Sequence, residues 1–239
     1  MKWSYVACLA SLVFIPTGSA FEFTPTPSEF NQWDTRCKTA YSASGSGRKS
    51  GYFPRMSDEQ NKYAREFGEA AGGAWHYCAG LIFLKRAQTS FGNERIGNLN
   101  RGLVEIKFTA RNIDLNNSWY PEVQVDLAKA YILNDDKKAG MDTLDKLLQS
   151  HSNSSLAYTA KAYYLKKDGK LDAAVALLQQ APAPVLAQSA ELNYFLGWYL
   201  MEQGHIQLAT DYAIKAYALG YPVPTLKYKL QAKGVQFPQ

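Results

Sequence analysis

Apolar and polar residues follow three successive patterns along the chain. From Trp3 to Ile15 the residues are predominantly apolar, with Lys2 before them and Gly18-Ser19-Ala20 after. A positive start, a short apolar stretch and small residues at its end form the pattern of an export signal. The stretch falls short of the about 20 residues that span a membrane. Residues 1–20 are therefore expected to be a signal peptide, and no later segment is long and apolar enough to be a membrane span. Residues 21–56 read differently. Pro25 and Pro27 stand among Thr and Ser, and Tyr41 to Gly51 is rich in Ser and Gly, which predicts an extended linker and a flexible loop. Helical signals begin at Ser57, which with Gln60 makes a capping-box pattern opening a helix to about Ala70. Gly72-Gly73 breaks it. A second helix is predicted from about Ala74 to Ser90, and a third from Glu94 to Ile113 after the turn Phe91-Gly92-Asn93. Residues 57–118 thus read as an N-terminal helical cap, and strand signals are nearly absent.

Beyond the cap the pattern repeats. Ala128, Ala162 and Gly197 are separated by 34 and 35 residues, and the same offsets align Asp135, Gly169 and Gly204. They also align Gly140, Ala174 and Ala209, then Leu147, Ala181 and Ala216. Small residues recur where two helices must approach closely, and glycine recurs where the chain must reverse. A period near 34 in a helix-turn-helix unit resembles the tetratricopeptide repeat. The third copy is the clearest, with Leu196-Gly197, Gly204, Ala209, Tyr212, Ala216 and Pro222, whereas the first carries Asp135 at the turn glycine. The resemblance implies an all-α fold, a tetratricopeptide-like α-solenoid of antiparallel helix hairpins with an N-terminal helical cap. Residues 119–224 would hold three hairpins, and residues 225–239 a C-terminal capping helix and tail.

Loss of the leader leaves two cysteines, Cys37 and Cys78. In an oxidising compartment two such thiols read as one disulfide, the alternative being two buried reduced side chains. His76-Tyr77-Cys78-Ala79-Gly80-Leu81, with Arg36-Cys37-Lys38 upstream, is similar to an element in a group of exported bacterial tetratricopeptide proteins. Members of that group usually carry an aromatic residue where this chain has Ala79. The resemblance implies the Cys37–Cys78 bridge and a periplasmic or secreted location, and it carries no activity.

Charge is uneven. Between Arg36 and Arg111 there are 13 Lys and Arg against 6 Asp and Glu, while from Asn112 onward there are 12 of each sign. A basic half favours anionic partners such as an acidic glycan or envelope polymer; a solvated surface is the plainer reading. Export argues against nucleic acid.

Candidate chemistry is sparse. His76, His151 and His205 fall in a helix, an inter-repeat loop and a repeat turn, which spreads them apart. His76 and Cys78 point to different helix faces, and zinc needs three or four ligands. Gly45-Ser46-Gly47-Arg48-Lys49-Ser50 lacks the glycine spacing and preceding strand of a phosphate loop. No G-x-S-x-G nucleophile elbow occurs. The expectation is no catalytic residue, no metal and no cofactor, with an enzyme site near His76 the least favoured alternative.

What remains is a binding surface. Tetratricopeptide arrays line their concave face with the first helix of each hairpin. By alignment the inward positions are Glu122, Val125, Lys129 and Ile132, then Leu156, Thr159, Tyr163 and Lys166, then Glu191, Tyr194, Trp198 and Met201. Lys129, Tyr163, Lys166, Tyr194, Trp198 and Met201 are the candidate groove residues, an aromatic surface edged with positive charge. Tyr and Trp favour hot spots because they bury large area with little rotamer loss; packing between helices is the competing explanation. The expected role is a scaffold for a protein or peptide partner of an envelope assembly, with glycan or anionic-polymer binding by the basic helices as the alternative.

Overall fold

The computed structural model describes residues 23–50 and 73–237. The leader, the Ser57–Gln60 capping box and the helix expected to end near Ala70 lie outside the described residues. Among the described residues the protein is all helical, with thirteen helices and no strand.

The first three helices occupy the segment expected to be linker and loop. They are α1 (Pro27–Gln32), α2 (Thr35–Ala43) and α3 (Gly45–Ser50). Local chemistry starts them. Thr26 and Glu29 form a reciprocal capping box around Pro27, and the Asp34 carboxylate caps α2 through the Arg36 amide at 2.8 Å. Aromatic packing then overrides the Ser- and Gly-rich composition. Phe23, Trp33 and Tyr41 pack on one another with ring centroids 5.5–6.1 Å apart, and the Tyr41 hydroxyl donates to the Phe23 carbonyl at 2.6 Å.

Two ties, one covalent and one ionic, hold this segment to α4 (Ala74–Thr89), the next helix among the described residues. Cys37 and Cys78 form a disulfide. The two cysteines stand 41 positions apart in sequence, and the cross-link removes chain entropy worth about 4 kcal/mol from the unfolded state. Glu29 accepts two hydrogen bonds from Arg86, at 2.7 and 2.8 Å. The guanidinium holds the Glu29 carboxyl down at about 2, so the pair is ionised at neutral pH.

Helix α5 (Gly92–Asn112) pairs with α4, and Gly80 and Gly102 let their backbones touch. A Cβ on Gly80 would stand 2.9 Å from the Gly102 carbonyl oxygen. Three further pairs follow: α6 (Tyr120–Leu133) with α7 (Lys137–Ser150), α8 (Ser155–Lys167) with α9 (Leu171–Gln179), and α11 (Ala190–Glu202) with α12 (Ile206–Ala218). The short helix α10 (Ala183–Gln188) lies between the last two pairs, and α13 (Thr225–Gln231) packs on both α11 and α12. Each pair also touches the next. Helix α5 meets α6, α7 meets α8, and the first helices α6, α8 and α11 adjoin in succession.

The aligned positions all serve this packing. Ala128, Ala162 and Gly197 are buried, as are Gly140, Ala174 and Ala209, and Leu147, Ala181 and Ala216. The turns are alike in detail. Asp135, Gly169 and Gly204 have φ of 63°, 76° and 85°. After each, the next amide reaches back five residues: Asp136 to the Tyr131 carbonyl, Lys170 to Leu165 and His205 to Leu200, at 2.9–3.0 Å. This is the closure of a Schellman motif, whose left-handed residue is ordinarily glycine. The first copy therefore makes the same turn with the wrong residue. Two clusters of buried apolar side chains result, one centred on Tyr41, Tyr77, Ile106 and Trp119, the other on Leu178, Leu192, Leu196 and Leu226. Each fully buried leucine contributes on the order of 1.5–3 kcal/mol of transfer free energy.

Asp135→Gly should raise unfolding stability by about 0.5–1 kcal/mol, because relief of the left-handed strain outweighs the added backbone entropy. Gly140→Ala should lower it by about 1–3 kcal/mol, since the new methyl would lie 2.5 Å from Ile132 Cγ1 and 2.7 Å from the Ala128 carbonyl oxygen. Urea denaturation of the two variants measures both, and the same sign for the two would contradict the turn-and-contact account.

Candidate binding groove

The first helices of the three later pairs enclose a cavity of about 460 Å³. Helix α6 supplies Val125, Lys129 and Ile132 to its wall. Helix α8 supplies Leu156, Thr159, Tyr163 and Tyr164, and α11 supplies Glu191 and Phe195. These come from one face of each helix because positions three and four apart lie above one another. Two large apolar side chains remain accessible there, Tyr163 at 47% and Leu156 at 42%.

The groove lining mixes apolar and aromatic side chains with three charged residues, Lys129, Lys167 and Glu191. Lys129 and Lys167 bring positive charge to the lining. Burial raises the Glu191 carboxyl above its ordinary range, which favours the neutral form. Tyr163 packs edge-on against Tyr164, centroids 5.2 Å apart. Burial, with Tyr163 and Asp126 nearby, pushes the Tyr164 phenol up to about 12, so it keeps its proton as a hydrogen-bond donor. Beneath Lys129, Asp126 accepts from the Tyr77 hydroxyl at 2.7 Å. Burial raises the Asp126 carboxyl, while the Tyr77 hydroxyl and the Lys129 ammonium pull the other way.

The six candidate residues divide. Lys129 and Tyr163 line the cavity. Lys166 and Trp198 lie farther along and share one partner, Glu202: the Lys166 ammonium stands 3.1 Å from its carboxylate and the Trp198 indole donates to it at 2.6 Å. The Lys229 ammonium of α13 lies 5.1 Å above the Trp198 ring. Tyr194 and Met201 are buried at 6% and 7% exposure, and neither lines the cavity. Tyr194 is stacked on Tyr221 with centroids 4.1 Å apart and lies beside Tyr217 and Trp198. The expectation of an open aromatic face at Tyr194 therefore gives way to packing. The chain leaving α12 turns back so that Tyr221 covers Tyr194 on α11, whereas Leu156 and Tyr163 on α8 stay accessible. Glu122 is also diverted, pairing with Arg36 of α2 at 3.1 Å.

Tyr164, Lys167 and Phe195 are groove residues that the alignment did not single out. Phe195 stands one helical turn after Glu191, so the spacing alone could have flagged it.

His76 is packed, not exposed to a cleft. Its ring lies against Trp75 and Phe108, with centroids at 3.9 and 4.3 Å, and Nδ1 is 2.6 Å from Glu105, itself 3.1 Å from Arg101. His151 contacts the Leu115 carbonyl through Nε2 at 3.0 Å. Among the described residues no three His, Cys, Asp or Glu side chains converge in a metal-binding group.

No protein-family model matches the chain, and no curated protein matches it in sequence. The functional reading therefore rests on the chain's own residues and their geometry.

The division of the aromatic residues has a direct consequence. Tyr194→Ala should cost roughly 3 kcal/mol through the cavity it opens, whereas Tyr163→Ala should cost less than about 0.5 kcal/mol, as surface changes do. Thermal melts of the two variants decide it, and similar losses in both would place Tyr163 in the core.

Proposed function

We propose that the protein is an exported scaffold whose tetratricopeptide-like hairpins stack as a solenoid and hold an extended segment of a protein partner in the groove between α6, α8 and α11. The observation that carries this reading is the placement of Val125, Lys129, Ile132, Leu156, Thr159, Tyr163 and Glu191, all inward positions of the repeat, around one cavity. The near-34 period, the three matching turns and the succession of contacts from pair to pair support the solenoid. The Cys37–Cys78 disulfide supports a periplasmic or secreted location. Among the described residues no helix is long and apolar enough to cross a membrane.

The lining favours an occupant of mixed character. An apolar or aromatic side chain would fill the space beside Val125, Leu156 and Tyr163, and a neighbouring carboxylate would meet Lys129 or Lys167. Recognition of this kind needs no covalent step and no cofactor. The role is that of an adaptor in an envelope assembly such as a pilus, secretion or surface-polysaccharide machine.

Peptides selected by display against the folded protein test the proposal. The selected set should share an apolar residue beside an acidic one. Tyr163→Ala and Lys129→Ala should each weaken binding about tenfold or more with little change in melting temperature, while Lys233→Ala, remote from the lining, should be neutral. Peptides that bind the groove variants as well as the parent would refute the assignment.

A further inference from the structure

Among the described residues before position 111, four arginines have polar partners within the protein. Arg36 pairs with Asp34 and Glu122, Arg86 with Glu29, and Arg101 with Glu105. The Arg95 guanidinium donates to the Ala87 carbonyl at 2.6 Å. Lys107 and Arg111 are different: neither forms an ion pair with a carboxylate among the described residues. They stand four residues apart on α5, a spacing that brings like charges together on one helix face and costs stability.

Both line a second cavity, of about 310 Å³, between α5, α6 and α7 and therefore distinct from the groove. Lys146 of α7 enters the same lining and is likewise without a carboxylate partner there. No acidic side chain joins them. Tyr120, Gln124 and Tyr131 complete the polar wall. The Lys107 ammonium stands 5.2 Å from the Tyr131 ring centroid. Burial raises the Tyr120 phenol, which keeps its proton available for donation.

We infer that this cavity binds a small phosphorylated molecule, its oxyanion held by Lys107, Arg111 and Lys146 and its body against the Tyr120 and Tyr131 rings. Three cations of one sign around a concave site repel one another until an anion enters, and a recessed wall strengthens their attraction for it. Arginine takes a phosphate through a planar fork of donors, and lysine adds a point charge. The volume lies at the small end of ligand pockets, near about 300 Å³, which suits a single sugar phosphate better than a polymer. This site shares no residue with the peptide groove, so either can fail without the other.

Titration calorimetry with glucose 1-phosphate, inorganic phosphate and glucose, at constant ionic strength, tests it. Glucose 1-phosphate should bind saturably at millimolar concentration or tighter, inorganic phosphate more weakly, and glucose not at all. Lys107→Gln, Arg111→Gln and Lys146→Gln should each weaken binding about tenfold, with ligand-free melting temperature unchanged or higher because repulsion is relieved. Arg95→Gln and Tyr163→Ala should leave the affinity intact. Absence of saturable binding, equal loss in Arg95→Gln, or binding only to phosphatidylglycerol vesicles would overturn the assignment.

Discussion

The structure depends on close approach between the two helices of each pair. Where Gly140 faces Ala128 and Ile132, and where Gly197 faces Ala209, no larger side chain fits without moving backbone. Close approach lets each pair present a broad apolar surface that it cannot bury by itself. Successive pairs are in contact and bury part of that surface between them. Three-residue turns with one left-handed residue keep the helices of the three later pairs in register, and the Schellman closures satisfy carbonyls that would otherwise be left at the helix ends.

The N-terminal helices couple to the groove through a short series of contacts. The disulfide fixes α2 on α4. Arg36 of α2 reaches Glu122 of α6, and Tyr77, next to Cys78, donates to Asp126 of the same helix. Asp126 lies one turn before Ala130 and beside Lys129, which lines the groove. The bridge thus sets the position of the first groove helix as well as limiting the unfolded chain. A buried phenol between two carboxylates is tolerable because the Tyr77 hydroxyl donates its one proton to Asp126 and Arg36 pairs with Glu122.

Much of the repeat region was legible because its constraints are local and periodic. Small residues at the helix contacts and glycine at the turns leave a trace in the sequence, and the two cysteines pair as their number suggested. Other features depend on what folds back from a distance. Tyr194 is expected from the alignment to face inward, yet Tyr217 of α12 and Tyr221 beyond it pack on its ring. No periodicity within α11 announces that. Similarly, Tyr41 to Ser50 has the composition of a loop, but Tyr41 and Cys37 anchor it to α4, and tertiary packing decides against local propensity. Asp135 shows the reverse situation, a local preference for glycine overruled because the pair on either side holds the turn.

On the proposed function, a partner segment lies along the accessible face shared by α6, α8 and α11. A photoreactive benzoylphenylalanine at position 163, inside the groove, and another at position 173, on exposed α9, compare that face with the opposite one most directly. With the protein irradiated in whole cells that produce it, an adduct is expected from 163, mapping to one extended segment of a partner protein, and none from 173. Equal adducts from both positions, or crosslinks from 163 only within the chain itself, would contradict it.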